Sequence, residues 1–383
     1  MRALHIFNPG NDMALASGQR FYTPRAAAMA MERAGMWLPL FLGENGDFIF
    51  IENGGEIPEE INNKWHHGLK IWRGEEVQSL RPWGWSPWIM ERYARAFRKH
   101  KVKWDTSFER AVDLSRVTDL SHRRISIAVH KAMETNLVPI EAFSLSQVQE
   151  ALNKWEKVVG KSPLSGSGRG IFHGSMLSAD NFFRRCRDTI SGQGSVMIER
   201  ELNVIAEFAM LFRVSRENGI SFLGYSLFET SADTYTSNLL LTDDDIRQRL
   251  SLICPTENFV SLEQRMESVM RCIIGHPEPY DGYFGVDMMI YEDNGITAVN
   301  PCVEVNMRTT MGVVAWHITH RFIHRDSCGH FGLCMASSEN GSAKWIDGRL
   351  AEGRVSLSTP GDNLMFYVEA QKKTAPIFDI GAV

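Results

Sequence analysis

The stretch from Val158 to Gly174 reads VVGKSPLSGSGRGIFHG, and it places a lysine at the end of a short apolar run, before a loop rich in glycine and serine. Glycine allows backbone N–H groups to approach phosphate oxygens closely, because no Cβ intrudes. The apolar residues on both sides of the loop predict two extended segments, so we expect the loop to connect the strands of a hairpin. A fixed cation beside such a loop is typical of phosphate binding.

Two common phosphate-binding motifs do not fit this stretch. The residues GKS at 160–162 imitate the end of a Walker A loop, but that motif requires a glycine where this sequence has Trp155. The glycines at 166, 168 and 170 are spaced G-x-G-x-G, whereas dinucleotide-binding folds use G-x-G-x-x-G. The sequence therefore indicates another way of holding a triphosphate.

A second polar constellation lies in VDMMIYEDNGITAVNPCVEVN, which ends at Asn306. Asn294-Gly295 is a strong hairpin signal between two β-rich runs. The strand period of two puts Glu304 and Asn306 on one face, with Asp287 on the partner strand. Two acids and an amide suit a hard cation such as Mg²⁺, which prefers oxygen ligands. A solvated strand face that happens to be polar remains the alternative.

Arg308 continues the same face by spacing, close enough to meet the charge on a transferring phosphoryl group. One feature interrupts the pattern. Asn300-Pro301 breaks the second strand, since proline cannot donate to the ladder. A bulge there would restore the facing geometry, and without one Asp287 is the ligand most open to question.

The order of these segments, namely a lysine strand, a glycine-rich hairpin loop, the strand MIEREL and then Asp…Glu-x-Asn-x-Arg, resembles the ATP-grasp superfamily of carboxylate-amine and carboxylate-thiol ligases. The resemblance covers approximately residues 120–312. It implies an α/β and α+β architecture in which an N-terminal open α/β domain (1–118) precedes a two-lobed ATP-grasp fold. The small lobe, with the glycine-rich loop, would span 119–194, and the large lobe with a C-terminal extension 195–383.

The resemblance also implies a role for individual residues in binding ATP. Lys161 matches the lysine that reaches the phosphates, and the strand after the loop matches the hinge that hydrogen-bonds adenine. Glu207 matches the acid that binds the ribose hydroxyls, and Glu201 is the alternative. Either Arg124 or Arg123 takes the place of the family's first basic residue. The implied loop residues are Ser165, Gly166, Ser167, Gly168, Arg169 and Gly170, and the implied hinge residues are Glu199, Arg200 and Leu202.

For catalysis, the resemblance implies that Asp287, Glu304 and Asn306 bind Mg²⁺ or Mn²⁺. Lys161 and Arg308 would stabilise the charge of the phosphoryl group during transfer. The expected reaction joins a small-molecule carboxylate to an amine or thiol through an acyl phosphate, releasing ADP and phosphate. Two alternatives stay open: a small-molecule kinase of the same fold, and a nucleotide-binding or sensing protein without turnover.

Composition sets the remaining expectations. The 383 residues leave room for two or three domains, and the net charge of −5 gives no general attraction to nucleic acid or anionic membranes. No apolar run approaches a membrane span and no signal segment follows Met1, so we expect a cytoplasmic protein. The six cysteines are expected to be buried, reduced thiols. A homodimer is expected by analogy with the family only.

Several local features predict secondary structure or further polar sites. The apolar segment WLPLFLG, starting at Trp37, predicts a strand, and Ser86-Pro87 predicts the start of a helix that runs to about His100. His320 and His324 have the spacing of a zinc-binding pair, although a polar helix is the preferred interpretation. The polar residues that follow the first strand are either turn formers or part of an acceptor-substrate site. They are Asn8, Asn11 and Asp12.

Overall fold

The computed structural model describes residues 2–52, 55–59, 61, 65, 68–166, 170–231, 234–335, 343–359, 361 and 363–373. Three residues of the predicted phosphate loop, Ser167, Gly168 and Arg169, lie outside the described residues. Three sheets organise the described part of the chain, with four, four and nine strands.

The first sheet is parallel and lies at the N-terminus, as expected for an open α/β segment. Its order is β3-β2-β1-β4. Ser86 caps the helix that starts at Pro87 through its hydroxyl, which accepts a hydrogen bond from the Ile89 N–H, and the predicted helix start is thereby confirmed. The elements are β1 (Ala3–Ile6), α1 (Asn11–Ser17), α2 (Ala26–Ala34), β2 (Phe48–Ile49), β3 (Lys70–Ile71), β4 (Ser79–Pro82) and α3 (Pro87–Lys99).

The strand predicted at WLPLFLG is wrong. Leu38–Phe41 forms a short 3₁₀ helix with Pro39 in its first turn, and all four residues are buried. A brief apolar run has the same appearance in a buried strand and in a buried helical turn, so periodicity cannot separate them.

The second sheet is antiparallel, with the order β5-β8-β6-β7. Strands β6 and β7 pair with each other, and Lys161 lies opposite Ile171 at the loop end. The glycine-rich segment therefore connects two strands of a hairpin, as predicted. The elements of this region are α4 (Ser107–Arg110), α5 (Leu114–Ser121), α6 (Ile125–Ala132), β5 (Ile140–Ala142), α7 (Leu145–Lys154), β6 (Val158–Lys161), β7 (Ile171–His173), α8 (Ala179–Gln193) and β8 (Val196–Arg200). Side chains of α7 and α8 share an apolar cluster with this sheet, including Val148 and Phe182.

The third sheet has nine antiparallel strands in the order β13-β12-β9-β10-β11-β14-β17-β16-β15. Its strands are β9 (Asn203–Ser215), β10 (Gly219–Ser231), β11 (Thr234–Leu240), β12 (Gly282–Asp293), β13 (Ile296–Asn306), β14 (Ser327–Met335), β15 (Lys344–Ile346), β16 (Arg349–Ser356) and β17 (Leu364–Lys372). Its helices are α9 (Asp243–Ile253), α10 (Phe259–Ile274) and α11 (Met311–Phe322).

The first and third sheets share their apolar cores. One cluster joins Leu4 and Ile6 of β1 to Phe208 and Val286 of the large sheet. The backbone adds a direct link, because the Trp83 carbonyl accepts a hydrogen bond of 2.8 Å from the Thr309 N–H. The carboxyl end of β4, the neighbour of β1 in the first sheet, is therefore held close to the end of β13, where the predicted metal ligands lie.

Further expectations concerned the tryptophans, the cysteines, the paired histidines and membrane-spanning segments. The tryptophans at 83, 85 and 88 are buried packing residues. All six cysteines are free thiols, but Cys272 is exposed and Cys334 half-buried, so the expectation of buried thiols is wrong for these two. His324 lies beyond the end of α11 and does not share a helical turn with His320. Among the described helices, none is both long and apolar enough to cross a membrane.

Candidate active site

The β12–β13 hairpin brings the two predicted carboxylates together. Asp287 and Glu304 are direct register partners, while the next pair along the strands is Met289 with Asn300. The register therefore shifts between Asp287 and Met289, and β13 absorbs the additional residues around Pro301. The Asn300 side chain steadies this bulge, because its Oδ1 accepts a hydrogen bond of 3.2 Å from the Cys302 N–H. The interruption by proline thus preserves the facing geometry.

A chain of polar contacts runs from these acids to the N-terminal segment. The amide nitrogen of Asn306 donates to Asp287 Oδ2 at 2.8 Å. Arg308 donates through Nη2 to Asn306 Oδ1 at 3.0 Å and through Nε to Asp12 Oδ1 at 2.7 Å. Asp12 belongs to the first turn of α1, just beyond the carboxyl end of β1. Residues from both ends of the sequence therefore form one polar cluster.

Burial raises the pKa of both acids. For Asp287, burial and the nearby charge of Glu304 raise the pKa to about 7. Burial also raises the pKa of Glu304 above its usual value, although the Arg123 guanidinium opposes this shift. Burial alone would lower the pKa of Arg308, but the charge of Asp12 raises it instead. Two buried carboxylates side by side resist simultaneous ionisation, and a divalent cation would relieve that repulsion.

The donor set fits such a cation with one change of side-chain orientation. Within the described ranges no group of three or more His, Cys, Asp and Glu side chains is arranged to hold a metal. The site offers two carboxylates and one amide, and a magnesium ion commonly takes its other ligands from water and phosphate. The Asn306 amide presents its nitrogen to Asp287, so its oxygen joins the ligand set only after the amide rotates.

Lys161 ends β6 and is buried, with its Nζ 2.6 Å from Glu199 Oε2 on the neighbouring strand β8. The second oxygen of Glu199, Oε1, is also buried and has no hydrogen-bond partner among the described residues. A buried carboxylate oxygen without a partner is costly, so this oxygen is suited to accept a hydrogen bond from a ligand. An exocyclic amine or a hydroxyl of a nucleotide could satisfy it.

Arg123 connects the loop region to the acids. Its guanidinium is buried and lies 2.9 Å from Glu304 Oε2. It also donates to the Ser162 carbonyl at 3.1 Å and to Ser165 Oγ at 3.2 Å. Arg124 is different, because its side chain is 52% exposed and lies 3.6 Å from Glu141. Of the two arginines predicted for the first basic position, the structure brings Arg123 into the cluster and leaves Arg124 outside it.

The described part of the glycine-rich loop contacts the N-terminal segment. A Cβ at Gly166 would lie only 2.1 Å from Asp12 Oδ2, so only glycine fits at this close approach. Gly170 has a φ of +78°, a conformation that glycine adopts without strain. The geometry therefore requires glycine at two positions of the loop, Gly166 and Gly170.

The predicted adenine and ribose contacts lie on β8 and β9 and the turn between them. Glu201 accepts hydrogen bonds from Ser175 Oγ at 2.7 Å and pairs with His173 Nδ1 at 2.9 Å, while its Oε2 is buried without a described partner. Glu207 accepts a hydrogen bond of 2.6 Å from Thr230 Oγ1. Arg200 pairs with Asp293 at 2.9 Å, and Leu202 follows in the turn. The contacts leave Glu201 and Glu207 both open as ribose ligands.

The space between these groups is nearly closed. A cavity of about 10 Å³ is lined by Asp12, Ser165, Glu304 and Asn306 among others. A volume of this size holds about one water molecule, so the space between these groups leaves no room for a triphosphate. The contacts of Arg123 with Glu304 and Ser165 hold the two sides together, and ATP would enter only after they separate.

Two participants were not assigned to this cluster from the sequence. Asp12 was predicted only as part of an acceptor site or a turn, yet it pairs directly with Arg308. Its position after a parallel strand was the available signal, because open sheets gather functional groups at that edge. His130 on α6 also approaches β13, with Nε2 2.9 Å from the Cys302 carbonyl, and no sequence signal distinguished it from a surface histidine.

Comparison by sequence finds no relatives: no protein-family model matches this chain, and no curated protein matches it. Comparison with solved structures finds proteins of similar fold. A biotin carboxylase from Campylobacter jejuni, crystallised as a β,γ-ATP complex, matches 97% of this chain and 87% of its own length, with 10% identity and a TM-score of 0.52.

An N5-carboxyaminoimidazole synthetase from Staphylococcus aureus matches 97% of this chain and 93% of its own length, with 10% identity and a TM-score of 0.50. At such low identity the likeness shows the fold alone. The chain has the ATP-grasp fold, in the mixed α/β architecture that the sequence predicted.

Proposed function

We propose that this protein is an ATP-dependent ligase that joins a carboxylate to an amine or thiol through an acyl phosphate and releases ADP and phosphate. In this proposal, residues 1–118 form the N-terminal domain, 119–194 the small lobe and 195–383 the large lobe. The fold is that of enzymes such as the biotin carboxylase named above, which was crystallised with an ATP compound. That likeness supports ATP as the nucleotide.

One observation carries the proposal. One buried guanidinium joins the loop that follows the buried Lys161 to the facing pair of acids, since Arg123 lies 2.9 Å from Glu304 and donates to Ser165 Oγ at 3.2 Å. A cation on one side and a potential metal site on the other are the features that a triphosphate requires. Desolvating several charges costs free energy, and clusters of this kind are common at functional sites.

A divalent cation bound by Asp287 and Glu304 would neutralise charge on the β- and γ-phosphates. Lys161, freed from Glu199, would donate to phosphate oxygens, and Glu199 would retain acceptor oxygens for the nucleotide. Arg308 is held in place by Asp12 and Asn306, so its guanidinium is fixed near the acids. It would bind the oxygens of the carboxylate substrate or of the transferring phosphoryl group.

Such a site needs no protein nucleophile. A carboxylate reacts poorly with amines because hydroxide is a poor leaving group, whereas an acyl phosphate has phosphate as its leaving group. The protein must exclude water, which would otherwise hydrolyse the acyl phosphate. The nearly closed space around Glu304 and Ser165 supports this role.

The proposal is tested by incubating the protein with ATP, Mg²⁺ and pooled carboxylic acids and amines. A ligase gives ADP, phosphate and a new amide in equal amounts. A kinase of the same fold gives ADP and a phosphorylated product, and a nucleotide-binding protein without turnover gives neither.

Glu304→Gln is the matched test of the metal site, with Glu292→Gln as its control. Glu292 lies on the same hairpin but is exposed. We expect Glu304→Gln to fold and to lose turnover, while Glu292→Gln keeps it. Full activity in Glu304→Gln would remove the metal assignment.

A further inference from the structure

A second cavity lies at the carboxyl edge of the N-terminal parallel sheet. Its volume is about 440 Å³, within the range of roughly 300–1,000 Å³ that is typical of small-molecule sites. Ile6 and Phe7 line it where β1 ends, and Phe50 and Ile51 line it where β2 ends. Open α/β sheets bind ligands in the crevice outside the carboxyl ends of their strands, which is where this cavity lies.

One part of the wall is apolar. Phe7, Phe50 and Trp88 supply aromatic surface, and Met29 and Met36 supply flexible thioethers from α2 and the turn after it. Met29 is 41% exposed, although it is a large apolar residue. An open apolar wall of this kind favours a ligand with an aromatic or branched aliphatic body.

Phe21 is an exposed aromatic side chain in contact with one of the lining residues. It is 65% exposed, and the guanidinium of Arg95, which lines the cavity, lies 5.3 Å from its ring centroid. An aromatic ring held between solvent and a cation is a further place for an apolar group to pack.

The other part of the wall is charged. The glutamates Glu32 and Glu52 both accept hydrogen bonds from Nη2 of Arg92, at 2.7 and 2.8 Å. The same guanidinium lies 4.9 Å over the ring of Trp88, and its Nη1 is buried without a partner among the described residues. Arg92 therefore neutralises part of the acidic charge and orders this side of the cavity.

Two further arginines, Arg33 and Arg95, also line the cavity. The lining has three arginines and two glutamates, which leaves one positive charge in excess. Arg95 also pairs with Glu91 outside the lining, but Glu91 is shared with Arg20 and Arg98, so the excess remains. Arg33 forms no ion pair with any residue that the structure describes. A single excess positive charge beside an apolar wall is complementary to a monoanion with an apolar body.

We propose that this cavity binds an organic monoanion, namely a carboxylate attached to an aromatic or branched aliphatic group. Its carboxylate contacts Arg33 and Arg95, and its apolar body packs on Phe7, Phe50 and Trp88. Arginine suits this role because its planar fork pairs with both oxygens of a carboxylate. The proposal is independent of nucleotide use, since none of these residues belongs to the candidate ATP site.

The test uses 3-phenylpropionate as the probe, titrated by calorimetry into the full chain without nucleotide or metal. Acetate carries the charge without the body, and 3-phenylpropionamide carries the body without the charge. We expect saturable binding of 3-phenylpropionate, and binding of the other two at least about tenfold weaker. Failure of this experiment leaves the ATP site untouched, and an inactive ATP site leaves this experiment untouched.

Arg95 and Arg98 provide a matched pair of variants. Both lie on α3, both pair with Glu91 and both are mostly exposed, but only Arg95 lines the cavity. We expect Arg95→Gln to weaken binding of 3-phenylpropionate about tenfold and Arg98→Gln to leave it unchanged. Met29→Asp, which adds a negative charge to the apolar wall, should abolish binding. Absence of saturable binding, equal binding of the amide, or equal effects of the two arginine variants would each overturn the proposal.

Discussion

Asp287 on β12 lies directly opposite Glu304 on β13, although Pro301 interrupts the strand between the hairpin turn and Glu304. The bulge around Pro301 takes up the additional residues and returns the acid to the face that its partner occupies. Because both side chains are desolvated there, each raises the electrostatic cost of ionising the other. A cation bound at this pair would therefore relieve the repulsion between the two carboxylates.

Arg123 and Arg124 are neighbours in sequence with opposite environments. Arg123→Gln removes one partner of a buried ion pair and leaves Glu304 without it, so we expect the free energy of unfolding to fall by about 3 kcal/mol. Arg124→Gln changes an exposed side chain and should shift it by less than about 0.5 kcal/mol. Urea unfolding of both variants measures the difference. Equal effects would show that the contacts of Arg123 do not stabilise the closed arrangement.

Lys161 is expected to dominate the affinity for the phosphates. Lys161→Met removes a charge-assisted contact, and the affinity for Mg-ATP should fall roughly tenfold to a hundredfold. Lys157→Met, an exposed residue just before the same strand, is the control and should bind normally. Glu199 would be left unpaired in the first variant, so Lys161→Met/Glu199→Gln is compared with Glu199→Gln alone, which separates the contribution of the lysine from loss of folding and from loss of the Glu199 contact. Unchanged affinity in the folded double variant would contradict the assignment of the lysine.

Asp47 stabilises the N-terminal sheet in a way that depends on pH. Burial alone would raise the pKa of this acid, but hydrogen bonds from His5 and from the backbone of Glu44 and Ala3 lower it. Its stabilisation is therefore complete above the unfolded pKa of about 3.9 and is lost as the pH falls through the lower folded value. Asp47→Asn should cost about 2–3 kcal/mol at pH 7, and the difference from the wild type should shrink in acid.

Unfolding of both proteins between neutral and acidic pH checks this expectation, with Asp188→Asn, an exposed residue on α8, as the control. A cost that stayed constant down to strongly acidic pH would show that the charge of Asp47 does not contribute.

Local signals in the sequence were sufficient for much of the fold. The Asn294-Gly295 turn was predictable because both residues adopt positive φ, at 55° and 78°, which few residue types tolerate. The cap at Ser86 and the hairpin after Lys161 follow from equally local chemistry. The helical turn at Leu38–Phe41 was not predictable, because burial of all its residues removes the polar pattern that would reveal it.

The site was less predictable than the fold, since its contacts join distant segments. Arg308 and Asp12 meet only because the N-terminal sheet packs against the large sheet, and no spacing in the sequence encodes that packing. Similarly, composition and spacing could not separate Arg123 from Arg124. Arg124 is the residue at the start of α6 and Arg123 precedes it, and only the folded structure shows that Arg123 is the buried one.

The most direct measurement is a crystal structure of the protein with Mn²⁺ and a non-hydrolysable ATP analogue, in which anomalous scattering locates the metal. We expect a manganese peak bonded to carboxylate oxygens of Asp287 and Glu304, with the phosphates extending from it to Lys161. A nucleotide bound elsewhere, or a metal that contacts neither acid, would contradict it.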